Sequence, residues 1–130
     1  MSVVNQKYTI KQRKQLKKKA WAIFSKWIRD RDNHTCVTCG NTKDTPTKSG
    51  KKMVMNGGHY CHNREDFNER NIHTQCFLCN KIRRGNMRFY TIRMVEWYGL
   101  DYVKELLLCE KEKPRLESAE FYLDIIKRYS

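Results

Sequence analysis

Two Cys-x-x-Cys pairs, Cys36/Cys39 and Cys76/Cys79, bracket a segment that carries His59, His62, Asn71 and His73, and Asn80 follows the last cysteine directly. Four thiolates at this spacing suit tetrahedral zinc, each pair wrapping one side of the ion. Two disulfides, or four free buried thiols, are the competing readings. Zinc held by four thiolates has no open position, so the clasp is a scaffold and its ion is not the reacting one. The segment between the pairs is roughly double the ~15–20 residues of a simple zinc ribbon, so something is built inside it. His59 is the candidate general base there, because an unperturbed imidazole near pH 6.5 accepts a proton from water under working conditions.

The flanking elements must position these groups. Residues 7–31 read as a basic amphipathic helix, with Leu16, Ala20, Ile23, Phe24, Trp27 and Ile28 on one stripe. "KMVMNGGHY" reads as a short strand running into glycines, which would let the backbone approach DNA, and "NIHTQC" as a second strand. "CFLCNKIRRG" starts a short helix, so the clasp orients Asn80. Met87, Tyr90, Met94, Val95 and Tyr98 mark a helix face ending at Gly99, and Asp101 is a candidate cap for the next helix. Leu116, Ala119, Leu123, Ile126 and Tyr129 form a last stripe beyond Pro114. Cys61 and Cys109 read as packed residues, and Trp21, Trp27 and Trp97 as core.

The expected organisation is one α+β domain over 1–130: the N-terminal helix (7–31), a zinc-bound core (32–85) and a C-terminal helical segment (86–130), after loose first residues. The formal net charge of +13 and pI near 9.6 point to a polyanion partner, with DNA the default. Lys14, Lys17 and Lys18, Arg64, and Lys81, Arg83, Arg84 and Arg88 are the candidate phosphate contacts. No signal peptide, membrane span or lipidation motif is visible, so a membrane partner is not expected and a cytoplasmic setting is. There thiols stay reduced and metal binding is favoured over disulfides.

"GGH" at His59, "NIHTQC" at Asn71 and "CN" at Asn80, set between the cysteine pairs, resemble the HNH (His-Me finger, ββα-metal) nucleases. The Cys-Asn junction is similar to that of phage endonuclease VII. With "AWAIFSKWIRDRD", "CVTCG", "GGHY", "NIHTQCFLCN" and a following "GN…FY", residues 20–108 resemble the lambda NinG/Rap recombination nuclease family. The resemblance implies a zinc-clasped ββα-metal fold. It also implies a structure-selective endonuclease that hydrolyses phosphodiesters in branched DNA such as Holliday junctions, by a one-metal mechanism with His59 as base. Two symmetric nicks in a four-way junction imply a homodimer, for which the C-terminal helices are the candidate interface.

By the same resemblance Asn71 bridges backbone groups and holds the histidine-bearing strand, and Asn80 ligates a catalytic Mg²⁺ or Mn²⁺ through its side-chain oxygen. Many relatives of this type carry Asp just before the base histidine as a second metal ligand, where this chain has Gly58. The replacement ligand is left among His62, His73, Glu65 and Asp66; His62 is alternatively a phosphate contact. Two other functions remain open: a zinc DNA-binding module without catalysis, and an HNH nuclease that nicks duplex DNA.

Overall fold

Thr9 opens the first helix with a reciprocal cap, its hydroxyl accepting from the Gln12 amide and its own amide donating to the Gln12 side chain. In the computed structural model, which describes residues 7–130, this helix is α1 (Ile10–Arg31). The expected loose first residues (1–6) lie outside the described part. Ala20, Phe24 and Ile28 bury one stripe of α1, as the three- and four-residue spacing requires, while Lys11, Lys14, Lys18 and Lys19 stay in solvent.

A long loop holding the first cysteine pair leads to β1 (Met55–His59), which pairs antiparallel with β2 (Ile72–Cys76). Gly58 faces His73 and His59 faces Ile72 in this register. A π-helical turn (Leu78–Ile82) follows, then α2 (Met87–Tyr98) and α3 (Leu100–Leu107). A single 3-10 turn (Leu108–Lys111) and an extended stretch precede α4 (Ala119–Tyr129), capped by the Ser118 hydroxyl. The chain is therefore mixed α and β with a two-stranded sheet.

Three apolar clusters hold the elements. Ala20, Phe24 and Ile28 of α1 meet Ile72 of β2 and Tyr122 and Ile125 of α4. Val37, Tyr60, Cys61, Tyr90, Met94, Val103, Leu106 and Cys109 form a second core under α2 and α3, and Cys36, Cys76 and Cys79 form the third with Met53 and Met55. Full burial of a side chain such as Phe24 or Ile28 contributes about 1.5–3 kcal/mol. The end of α1 is also bolted to β2. Arg31 donates to the carbonyls of Glu69 and Ile72, and Asp32 accepts from the Thr74 amide and hydroxyl.

Several expectations change. α4 starts at Ala119 and buries Tyr122 and Ile125, leaving Leu123 exposed, because the extended chain after Pro114 sets a later helix start and rotates the face. That face packs on α1, while Phe121 and Leu123 of α4 remain exposed. Gly99, not Asp101, caps α3, and Asp101 sits in its first turn. Cys61 and Cys109 are packed as expected but joined in a disulfide, across a sequence separation of 48. Neither strand nor helix periodicity reveals which buried cysteines face each other. Trp97 is 52% exposed, covering His73 with one ring face only.

Candidate active site and metal clasp

The four clasp cysteines converge. Their sulfurs all lie within 4.8 Å of one another, with Cys39 and Cys76 3.7 Å apart. Four sulfurs at about 2.3 Å from a zinc ion sit roughly 3.8 Å apart, so the donor set and spacing fit zinc. The local fold explains the convergence. The Gly40 amide turns back onto the Cys36 carbonyl, in a left-handed backbone conformation (φ +78°) that favours glycine, and the Cys79 amide points at the Cys76 sulfur. Arg83 and Asn86 donate toward Cys79 Sγ, the outer hydrogen bonding that orients a thiolate ligand. Burial alone would push the Cys36 thiol up, but hydrogen bonds from Thr38 and neighbouring amides bring it down to about 7. Burial raises Cys39 and Cys76, and the charge of Cys36 adds to this, so without an ion Cys39 and Cys76 resist ionising beside Cys36.

His59 ends β1 beside a cleft of about 280 Å³ that it lines with His62, Asn80, Lys81, Asn56, Gly57, Ser25 and Trp21. Its imidazole stacks on Trp21 (ring centroids 4.8 Å apart) and faces His62 on the other side (5.5 Å). Nε2 lies 3.1 Å from Asp66 Oδ1, and the second carboxylate oxygen pairs with Lys17 at 3.4 Å. Burial would raise Asp66, but the His59 hydrogen bond and the charges of His59 and Lys17 outweigh it and hold the carboxyl below its usual range. An ionised Asp66 accepting from Nε2–H leaves Nδ1 as the basic nitrogen.

Asn71, wholly buried, clamps the loop between the strands. Its Oδ1 accepts from the Cys61 amide (2.8 Å), and Nδ2 donates to the carbonyls of Cys61 (2.8 Å) and Glu65 (2.9 Å). These bonds fix the backbone on both sides of His62 and lead directly to Asp66. Asn71 itself touches backbone only.

His73 is not at the cleft. It shares the sheet face of Gly58, opposite His59, and is 2% exposed. Tyr90 gives its proton to the Gly58 carbonyl (2.8 Å), so its oxygen accepts from His73 Nδ1–H (3.0 Å), and Nε2 accepts from Tyr98 (2.9 Å). Burial, with Arg31 second, pulls this imidazole down to about 4. With both nitrogens engaged, His73 is a structural residue and not a ligand of a catalytic ion.

Gly58 also acquires a different meaning. A Cβ placed there would lie 2.0 Å from Gln75 Oε1, inside a side chain held by Nε2 bonds to the Gly85 carbonyl (2.8 Å) and Thr38 (3.3 Å). The neighbouring Gly57 packs against Ser25 and Ile72. Gly58 serves close approach within the protein, while Gly57 packs on α1 and also lines the cleft. The cleft has no carboxylate in its lining. Asn80 and His62 offer an amide oxygen and an imidazole, a set that fits a divalent ion shared with a phosphate but no tightly held resident ion. Asp66, the nearest carboxylate to His59, is engaged with His59 and Lys17, and Glu65 lines neighbouring clefts with Asn68.

The cations divide. Lys14, Lys18, Arg83, Arg84 and Arg88 are exposed, Lys81 lines the cleft and Lys17 is paired with Asp66. Arg64 donates to the Lys113 carbonyl (2.6 Å) and pairs with Glu112 (3.5 Å), so it fastens the site loop to the C-terminal stretch. Asp66 was a candidate metal ligand and is instead the partner of His59, while Trp21 as the stacking face and Gln75 over Gly58 were not legible as site residues. Trp21 reaches the site from a helix remote in sequence, Gln75 from a strand alternation that spacing alone does not assign, and Asp66 from the loop that Asn71 clamps. Among the described residues, no helix is long and apolar enough to cross a membrane.

A family model described as "NinG: Bacteriophage Lambda NinG protein" matches residues 2–130. Protein ninG of Escherichia phage lambda and of Salmonella phage P22 are each 30% identical over 101 residues, 77% of this chain and 48% of theirs. Protein ninG of Escherichia phage 933W is 29% identical over the same shares. The chain thus spans about half the length of the curated relatives it matches. No solved structure matches it.

Proposed function

The chain belongs to the bacteriophage lambda NinG family, and we propose that it is a metal-dependent HNH-type DNA endonuclease that cuts branched recombination intermediates. One observation carries the reading: His59, braced by Asp66 and stacked on Trp21, opens onto the same cleft as Asn80, His62 and Lys81. The order of two antiparallel strands, clasp and short helical turn supports a ββα-metal core. The charge of +13 supports a nucleic-acid substrate.

In the mechanism, His59 Nδ1 takes the proton of a water attacking the scissile phosphorus, while the P–O bond to the leaving sugar oxygen breaks and that oxygen takes a proton from solvent water. Asp66 holds the ring by Nε2–H and stabilises the imidazolium that forms, the logic of a base oriented by a carboxylate. Trp21 and His62 restrict ring rotation. Lys81 places an ammonium where phosphate charge develops. A divalent ion, when bound by Asn80 and His62 together with the phosphate, supplies Lewis-acid polarisation. The exposed lysines of α1 and Arg83, Arg84 and Arg88 grip flanking phosphates. Two chains acting on a symmetric junction would give paired nicks.

The test is cleavage of end-labelled four-way junction, matched duplex and single strand with Mg²⁺ or Mn²⁺. Metal-dependent, junction-selective cuts that vanish in His59→Ala and fall about 10²- to 10⁴-fold in Asp66→Asn, with zinc content and fold unchanged, are expected. Equal cutting of all three substrates would remove the branch specificity. Salt-sensitive binding with no cleavage under either ion would leave a zinc DNA-binding module.

A further inference from the structure

The π-helical turn that carries Asn80 and Lys81 into the cleft also carries apolar side chains outward. Phe77 is 48% exposed and Ile82 64% exposed, and Leu78 is exposed beside them. Phe77, which has helical backbone angles, stands four residues before Lys81, close to one full turn of this wider π-helical winding, so it lies on the Lys81 side of the turn. Its amide donates to the Val54 carbonyl (2.8 Å), and Val54, 60% exposed, extends the same apolar rim at the open end of the strand ladder.

A large aromatic half in water beside a catalytic cleft needs an occupant, and the surrounding charge selects it. Lys81, Arg83 and Arg84 are interleaved with Phe77, Leu78 and Ile82 on one short turn, and all three are exposed. None of them has an acidic partner among the described residues, although acids elsewhere on the surface are paired. A protein-binding apolar patch excludes charge from its centre. Apolar residues interleaved with Lys81, Arg84 and Arg83, the last also reaching Cys79 Sγ, instead match the two components of DNA, stacked bases and phosphates.

We propose that Phe77 is a wedge that inserts between bases at the branch point and unstacks one step next to the scissile phosphate. The inference rests on the nuclease reading for its substrate and adds how a branched structure is recognised. An interrupted stack accepts an aromatic ring at lower cost than continuous duplex, so a wedge selects shape without reading sequence. The Phe77 ring would occupy the unstacked step while Lys81, four residues on, reaches the adjacent phosphate.

The test uses the full chain carrying His59→Ala, so that bound DNA stays uncut, and junctions with 2-aminopurine at the branch. Binding should raise the 2-aminopurine fluorescence as the base unstacks. Phe77→Ala should abolish most of that rise and weaken junction binding roughly 10-fold, with a smaller effect on duplex. Phe77→Leu, which keeps an apolar wedge, should retain much of both. Zinc content and circular dichroism check that each variant is folded. Binding with an unchanged fluorescence rise in Phe77→Ala overturns the wedge and leaves the nuclease reading standing. A parent protein that binds no DNA overturns both. If Phe77→Ala changes the sedimentation of the free protein and not the fluorescence, the rim is a contact between copies of this chain and the wedge is wrong.

Discussion

Replacing Gly58 by Ala is the sharpest perturbation of the site's framework. Gly58 lies in β1 with no positive φ, so the backbone itself accepts alanine, and relief of glycine's excess entropy alone would stabilise by about 0.5–1 kcal/mol. The packing says the opposite. The new methyl would lie 2.0 Å from Gln75 Oε1, 2.7 Å from Cδ and 2.8 Å from Cγ, so the whole end of a fully buried side chain must move. Moving it breaks the bond to the Gly85 carbonyl, which ties β2 to the end of the site turn, and the contact with Thr38 in the clasp. Overpacking costs about 1–3 kcal/mol and a lost buried hydrogen bond about 1 kcal/mol. The net destabilisation is therefore about 2–3 kcal/mol, or roughly 10 °C in melting temperature for a chain of this size. Thermal denaturation in excess zinc measures it, with a double-mutant cycle through Gln75→Ala. In the Gln75→Ala background the added methyl should cost little, giving a coupling of about 2 kcal/mol. A Gly58→Ala protein as stable as the parent, or equally destabilised in both backgrounds, would refute the steric account. It would also reopen position 58 to a metal-binding carboxylate.

Lowering pH should weaken the fold through His73. Its native value of about 4 lies below the unfolded ~6.5, so between these the unfolded chain binds a proton that the native one does not, and stability falls as pH drops through that window. The loss is about 2 kcal/mol by pH 5, read as a shift in urea midpoint between pH 7 and 5 that shrinks in His73→Gln; equal shifts in the two proteins would show that His73 is not responsible. Reducing the Cys61–Cys109 disulfide frees a loop with a sequence separation of 48, worth about 4 kcal/mol in the chain-entropy account. Dithiothreitol should lower the melting temperature of the parent but not of a Cys61→Ser/Cys109→Ser double variant, and identical responses would mean that the bond does not form in solution. One zinc per chain should be released by chelation, with loss of β2 and the site turn by circular dichroism. Cobalt should restore them with thiolate charge-transfer absorption; a chain that keeps its structure after metal removal would make the clasp dispensable.

The sequence by itself determined what depends on local spacing. Cys-x-x-Cys pairs are complete ligand units, so the clasp could be read without a fold, and the stripe of Ala20, Phe24 and Ile28 follows from helical period alone. The strands around His59 and Asn71 and the helix of Asn80 were legible because each is short and bounded by turn or clasp residues. Tertiary structure decided everything that rests on which side chains meet across the chain. His73 and His59 look alike in sequence, yet the register sends one onto Tyr90 and Tyr98 and the other to Asp66 and the cleft. Gly58 looks like a missing ligand until Gln75 is found in the space above it. Cys61 and Cys109 look like ordinary core residues until the loop and the 3-10 turn bring them together. Periodicity fixes the face a residue shows within its own element, but partners come from the packing of elements far apart in the chain, and a single sequence does not contain those distances.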